Sequence, residues 1–548
     1  MFSKHPKGLP VLFFTEMWER FGFYLMIGIF TLYMIASDGM GFTRTFSAEI
    51  YGTYLALVYL TPFLGGLLAD RFMGYRKTII IGGILMGLGY FGLALNSKMT
   101  FYISLLFIIV GNGFFKPNIS TLVGRLYDNP KYKPYKDSGY NIFYMGINIG
   151  AFVCNFFAAF LRNNFGWSAA FAMAGLGMFI GILWFLLGQK HVKEVDFITP
   201  TKPEDISISK IVYIIFVPAI IAGFIGWFLP TLIFGQPLLA ESTDAFIFAT
   251  IPLIYYFFSL WKKGDKEEKQ RLGALYAVFL AGGVFFMILH QNGSAMTIWA
   301  NDYTSREMPA IVQEPLSALG FAETVTSEPQ VTELVDGHGA PILDENGKPK
   351  VEEGYHPYLK NLPREEWPKD GEKMALLNTE IFQSANPAFV VLLTPLLVAF
   401  WSWLSRKKKE PSTPGKIVIG VVITALAMLL MMFAVWVGGN GAEKVSWLWI
   451  VSMYGVLTVG ELCLSPMGLS LVSKLAPKRF TALMMGGWFM ATAIGNKLSG
   501  VLSGLFFTIE NKAIYFMING IAAAAVALIL FLMLKWLQKV VKEYTGES

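Results

Sequence analysis

The chain has 548 residues, 54% of them hydrophobic and 15% charged, with a formal net charge of +6. Soluble proteins carry about 25% charged residues, so this composition points into a membrane and away from a soluble enzyme or a nucleic-acid-binding domain. The two cysteines, Cys154 and Cys463, both fall in apolar stretches and imply no disulfide framework.

The first apolar stretch, 11–36, is long enough to cross a bilayer and too long to read as a cleavable leader. It holds Glu16, Glu19 and Arg20. Insertion scales put each such charge at about 2.5–3.5 kcal/mol at membrane depth. Spacings of three and four place the three side chains on one helix face, which must line a bundle interior or a wet cavity. Five more spans follow: 48–72, 77–96, 99–127, 138–161 and 167–188. In 99–127, Lys116 stands just before Pro117, where a helix is expected to break. In 138–161, Tyr144 and Asn148 lie four apart on one face. The spans 210–234 and 244–262 are expected to carry no buried acid or base and to lie at the periphery. Six others complete the set: 271–300, 378–404, 414–437, 445–474, 480–508 and 512–538. The first of these carries His290-Gln291-Asn292, and 445–474 carries Glu461 with Ser465 one turn on. No Cys, Asp or second His stands at ligand spacing from His290. No metal centre, cofactor or enzymatic activity is therefore expected.

Basic residues assign the sides. They cluster on alternate loops: Arg71 to Lys77, Arg125 to Lys136, Lys190 and Lys193, Lys262 to Arg271, Arg406 to Lys409, and Lys474 to Arg479. The positive-inside rule makes these loops and both termini cytoplasmic, in a multi-pass membrane protein. One loop, 301–377, is long, polar and rich in acidic residues, and it falls on the outer side. Its length fits a functional or a disordered segment equally, and Trp367, Tyr355 and Tyr358 leave room for a packed mini-domain. The spans divide six, two, six. The expected fold is an all-α membrane protein with fourteen transmembrane helices, of the major-facilitator kind, with its site between the halves. Residues 1–190 form one six-helix bundle and 191–268 a linker with two extra helices. Residues 269–540 form the second bundle, interrupted by the 301–377 insert.

The motifs narrow this further. Glu16-x-x-Glu19-Arg20-Phe21, the stretch Gly65 to Gly74, and Phe143-Tyr144-x-x-Ile147-Asn148-x-Gly150 follow one another in the first half. Asn386-Pro387, Glu461-x-x-x-Ser465-Pro466, and Trp488-Phe489 near Gly495-Asn496 follow in the second. Together, in this order, they resemble the proton-coupled oligopeptide transporter family in its bacterial form. That resemblance implies uptake of dipeptides and tripeptides with protons as the coupling ion, by a chain that works as a monomer in the bilayer.

A zwitterionic peptide needs a cationic patch for its carboxylate and an anionic one for its ammonium. Arg20 and Lys116 supply the first, and Glu461 the second. Asn148, Asn386, Ser465, Tyr24, Tyr59 and Tyr144 can bind the peptide groups, with Trp488 as an apolar wall. Such a site reads backbone and termini, a route to broad side-chain tolerance. Glu16 and Glu19 with Arg20 and Lys116 form the expected proton-coupling unit, and Lys116 can pass to Glu461 to close the cytoplasmic side. The chain also departs from the family. Many members carry an arginine where it has Ile27, an acid where it has His290, and a tryptophan where it has Phe286. The missing arginine–acid pair leaves the outer latch to other charges, Arg44 and Asp302 being the candidates, and makes His290 a candidate second proton site. Same-family carriage of another solute, such as nitrate or modified peptides, is the alternative.

Overall fold

The computed structural model describes residues 2–198, 212–308, 310–334, 336, 342, 344, 350–477 and 481–546. Lys478 and Arg479 of the last basic loop, part of the 191–268 linker and part of the insert lie outside these residues. With no water to satisfy backbone groups in a bilayer, long apolar segments close their hydrogen bonds internally as helices. Among the described residues, eleven helical stretches are long and apolar enough to cross a membrane. One of them, Ser138–His191, is two helices that fold back at Gly166, whose φ of 80° only glycine adopts cheaply. Two further helices of 28 residues, one of them with three charges, bring the number to fourteen.

In chain order these are α1 (Gly8–Ile35), α2 (Arg44–Leu68), α3 (Tyr75–Leu93), α4 (Lys98–Leu126), α5 (136–165), α6 (167–188) and α7 (Val217–Phe234). The remainder are α8 (Glu241–Lys263), α9 (Lys266–Leu289), α10 (Ala385–Arg406), α11 (Thr413–Val437), α12 (Leu448–Leu475), α13 (Thr481–Thr508) and α14 (Lys512–Thr545). The first six pack on one another, as do the last six. Helices α7 and α8 pair with each other and touch α2, α9 and α13 from outside. The halves meet along two seams, α2 against α13 and α5 against α10.

Local sequence explains the details that position the site. The start of α9 is set by a capping box: Glu268 N donates to Asp265 Oδ1 (2.8 Å) and Asp265 N to Glu268 Oε2 (3.4 Å). A Cβ at Gly65 would overlap the Gly113 carbonyl, so α2 and α4 approach at backbone contact. Beyond Gly65, Arg125 Nη2 donates to the Tyr75 hydroxyl (2.8 Å) and Arg76 Nε to Asp196 Oδ2 (2.8 Å), pinning the loop between α2 and α3.

Two expectations change. Pro117 does not end its helix; α4 runs through it, as membrane helices do when neighbouring groups take up the freed carbonyl. The single span expected over 271–300 is instead interrupted. Helix α9 stops at Leu289, a 3-10 turn covers His290–Gly293, and a short helix, Ala295–Asp302, resumes after Ser294. The polar Asn292-Gly293-Ser294 run breaks the ladder where α9 meets the cavity.

The insert carries order in its described residues. Strands β2 (Ala322–Val325) and β5 (Met374–Leu377) pair antiparallel, as do β3 (Gln330–Glu333) and β4 (Val351–Gly354). Strand β1 (Thr304–Ser305) pairs in parallel with β6 (Val445–Ser446) in the α11–α12 loop. Val325, Tyr358, Leu359 and Leu376 form a small core, with Trp367 against it. Arg306, fully buried, bonds Glu323 Oε2 (3.0 Å), and His356 reaches Glu323 Oε1 (3.3 Å). Burial alone would raise the Glu323 carboxyl, but Arg306 and His356 hold it well below the usual carboxylate range.

Candidate functional site

A cavity of about 310 Å³ lies between the halves at the level of the α9 break. Helix α1 contributes Glu16, Arg20 and Tyr24, α2 Tyr59, α4 Lys116, and α5 Tyr144 and Asn148. From the second half come Phe286 and His290 at the end of α9, Asn386 on α10, Glu461 and Ser465 on α12, and Trp488 on α13. All ten residues expected to bind substrate line this one space, although they come from seven different helices.

The cationic and anionic poles sit on opposite walls. Arg20 is 2% exposed and engages both acids of its own helix: its guanidinium bonds Glu19 through two nitrogens and lies 3.6 Å from Glu16 Oε1. Glu19 does not reach the cavity; Glu16 does, and its second oxygen is buried without a hydrogen-bond partner. Lys116 Nζ stands 4.3 Å over the Tyr59 ring, and no carboxylate among the described residues lies within 4.0 Å of it. On the far wall Asn386 Nδ2 donates to Glu461 Oε2 (2.9 Å) and to Thr458 Oγ1 (2.9 Å), fixing that carboxylate in place. Lys116 and Glu461 are therefore not bridged in this conformation.

His290 is held from two sides. Its Nδ1 lies 2.5 Å from Asn496 Oδ1, its Nε2 3.4 Å from the Tyr59 hydroxyl, and its ring stacks on Phe286 at 5.4 Å. Ile27 packs in the core near this level, 4% exposed.

Above the cavity, toward the insert, the halves are tied together. Arg44 pairs with Asp302, and Lys444 Nζ donates to the Asp302 carbonyl (2.6 Å). Burial, with Arg306 adding to it, lowers the Lys444 ammonium to about 8. Arg162 Nε lies 3.1 Å from Glu380 Oε1, a carboxylate with no exposed surface. Asn155 Nδ2 donates to Ser384 Oγ (3.0 Å), and Gln383 Nε2 donates to the Gly28 carbonyl (3.1 Å). At the other end, where the basic loops and both termini lie, no such bond joins Lys116, Tyr144 or Asn148 to Glu461, Ser465 or Leu469. Tyr144 and Leu469 are 42% and 41% exposed there. His5 Nδ1 lies 2.7 Å from the Tyr127 hydroxyl, and Tyr544 OH donates to Gln270 Oε1 (3.0 Å), which places the two ends of the chain on that side. The cavity is closed toward the insert and open toward the basic loops.

Sequence reasoning missed the Arg162–Glu380 pair, the amides Asn155 and Gln383 in the cavity ceiling, and Lys497 within α13. For Lys497 the signal was present: a charge inside an apolar span, the same cue that singled out Glu16.

The family model described as the POT family matches residues 76–314 and 373–521, more than half of the chain. The chain belongs to the POT family. It is similar to the "Uncharacterized transporter YclF" of Bacillus subtilis, at 31% identity over 99% of this chain and 96% of that protein. It is also similar to the "Di-/tripeptide transporter" of Lactococcus lactis, at 29% identity over 97% of this chain and 96% of that one. Among solved structures it is similar to a POT family transporter in complex with 5-aminolevulinic acid. That match has a TM-score of 0.76 and 27% identity, covering 99% of this chain and 98% of the other. The structural match thus extends over nearly all of this chain, and the family match leaves out 315–372 within the insert.

Proposed function

We propose that this chain imports dipeptides and tripeptides together with protons by alternating access, as a monomer in the cytoplasmic membrane with both termini cytoplasmic. The observation that carries this reading is the cavity itself: Arg20 and Lys116 on one wall, Glu461 on the other, and amides and hydroxyls between them. A peptide presents a carboxylate and an ammonium a few bonds apart, with polar amides between. It satisfies both walls at once. Glu461 has no use in an anion carrier, because it would repel the solute. The basic loops lie at the open end, so the conformation described is inward-facing.

Coupling follows from shared partners. Arg20 serves Glu16 and Glu19 together, and Lys116 stands nearby with no carboxylate of its own. A proton on Glu16 cancels its hold on Arg20 and frees the guanidinium for a peptide carboxylate. Loss of that proton to the cytoplasm restores the Arg20–Glu16 contact and displaces the carboxylate. Lys116 is the cation that passes to Glu461 when the inner side closes.

The test is uptake of labelled dialanine into proteoliposomes with and without an imposed inward proton gradient. Accumulation should require the gradient. Lys116→Ala should abolish accumulation and keep peptide exchange between the two sides. Gradient-driven accumulation that survives Lys116→Ala would remove Lys116 from the coupling unit, and dialanine uptake indifferent to the gradient would overturn the symport itself.

A further inference from the structure

Lys497 lies in the middle of α13, away from the cavity lining and 2% exposed. Its ammonium donates to Thr53 Oγ1 on α2 (2.7 Å) and to Ser242 Oγ on α8 (2.8 Å). Ser242 Oγ donates in turn to Glu49 Oε1 on α2 (2.6 Å), and Thr53 Oγ1 donates to the Glu49 carbonyl (2.8 Å). The ammonium and the carboxylate do not touch; Ser242 stands between them. The neighbouring acid Asp244 is occupied, accepting from the amides of Leu238 (2.7 Å) and Leu239 (3.2 Å).

Three parts of the molecule thus meet at one hydroxyl: α2 from the first half, α13 from the second, and α8 from the added pair. The seam at this level is tight. A Cβ on Gly52 would lie 2.6 Å from Gly500 Cα, so α2 and α13 touch backbone to backbone. A lysine buried in such a seam is costly unless its donors are all engaged and its charge is answered. The preceding residue grips the opposite side: Asn496 Oδ1 meets His290 in the cavity, and its Nδ2 donates to the Leu55 carbonyl of α2 (3.4 Å). Any motion that parts α2 from α13 must break either Lys497–Ser242 or Ser242–Glu49, since Ser242 is bonded to both helices. The same motion carries Asn496, and with it the support of His290.

We propose that Lys497, relayed through Ser242 to Glu49, is a positioning residue that holds the insert side closed, and that α7–α8 take part in transport by supplying Ser242. This rests on the alternating-access reading above, yet its test needs no substrate. Spin labels at Leu95→Cys and Glu510→Cys, exposed at the insert end on either half, report the separation of the halves by double electron–electron resonance in lipid nanodiscs. Ser242→Ala should move the closed-to-open ratio toward open by about tenfold, the scale of one hydrogen bond to a charged group. Ser242→Thr should keep the unsubstituted distribution. Lys497→Met should open the insert side further, and adding Glu49→Gln should recover part of the closed population, because no buried charge is then left unanswered. An Ala distribution identical to that of the unsubstituted protein overturns the proposal. So does an Ala shift that Thr reproduces. Should Lys497→Met fail to fold, the Ser242 pair decides alone. A failure of dialanine uptake would count against the peptide reading and leave these distances untouched.

Discussion

The two ends of the cavity are built on opposite principles. Toward the insert, the protein bridges itself: Arg162 with Glu380, Arg44 with Asp302, Asn155 with Ser384, and Gln383 with the backbone of α1. Toward the basic loops, the facing residues carry complementary charge but do not reach one another; Glu461 is held by Asn386 of its own half and Lys116 lies over Tyr59. The bonds that close the first end are formed in this conformation, whereas the facing charges at the second stand apart. On the proposed reading, a zwitterion that spans Arg20 and Lys116 on one wall and Glu461 on the other draws the walls together, and Lys116 passes to Glu461 as the inner side closes. On that reading the difference also accounts for how binding energy becomes motion. A ligand shifts a two-state equilibrium only by its differential affinity, and a peptide that contacts both walls has that preference for the closed form.

The comparison is broken most severely at Arg162. Glu380 has no exposed surface, and removing its partner strands a carboxylate between the halves. Losses of about 3–5 kcal/mol follow when one member of a buried pair is deleted. Arg162→Met should therefore lower the thermal midpoint in detergent and leave the insert side open in the same double electron–electron resonance measurement. Arg162→Met with Glu380→Gln should recover most of the midpoint. A double variant as unstable as Arg162→Met alone would show that packing around the guanidinium, rather than the charge, ties this end.

The open end is tested through the ligand. Glu461→Gln keeps the Asn386 contact and the volume but removes the charge. Binding of dipeptides should weaken by about ten- to a hundredfold, the range of a charge-assisted hydrogen bond of about 1.5–3 kcal/mol. Analogues without the free amino group should bind the variant and the unsubstituted protein alike. Equal losses for both ligand classes would remove the ammonium contact and with it the idea that substrate bridges the walls.

How much of this was legible follows from the same contrast. The cavity walls were readable because charges at membrane depth stand out against apolar helices, and spacings of three and four assign them to one face; Glu16, Arg20, Lys116 and Glu461 declare themselves that way. The bonds at the insert end were less readable. Arg162 and Glu380 sit at the edges of apolar segments, where charges ordinarily meet water, and nothing local distinguishes a pair that ends up buried. Asn155 and Gln383 are polar but uncharged, so each resembles any amide that glues helices together. Pro117 misled for a related reason: the penalty of a proline in a soluble helix does not transfer to a bundle whose neighbours repair the backbone. The insert fell between. Its aromatic residues allowed a mini-domain, but the Arg306–Glu323–His356 cluster that orders it joins residues up to fifty apart in the chain.

That cluster gives a smaller effect with a defined pH window. The Glu323 carboxyl lies below its ordinary value of 4.5 in the folded insert, so its contribution is full above that pH and is lost as the pH falls through and below it. Hydrogen–deuterium exchange of the β2–β5 pair, after correction for intrinsic rates, should rise progressively as the pH falls below 4.5. Glu323→Gln should remove that dependence. A variant with the same acid profile would assign the loosening to other carboxylates.

The smallest effect belongs to Arg44 and Asp302. The pair is formed, but the Arg44 side chain is 39% exposed, and pairs screened by solvent are worth about 0–1 kcal/mol. Asp302 nevertheless joins three elements, since Lys444 donates to its backbone carbonyl while its carboxylate meets Arg44. Asp302→Arg places like charges together and should slow dialanine uptake by a few-fold. Reversal of both, Arg44→Asp with Asp302→Arg, should restore part of the rate, but only part, because the new arginine then stands beside Lys444. A double variant no faster than the worse single one would mean that the backbone contact to Lys444, not the surface pair, makes Asp302 part of the closed end.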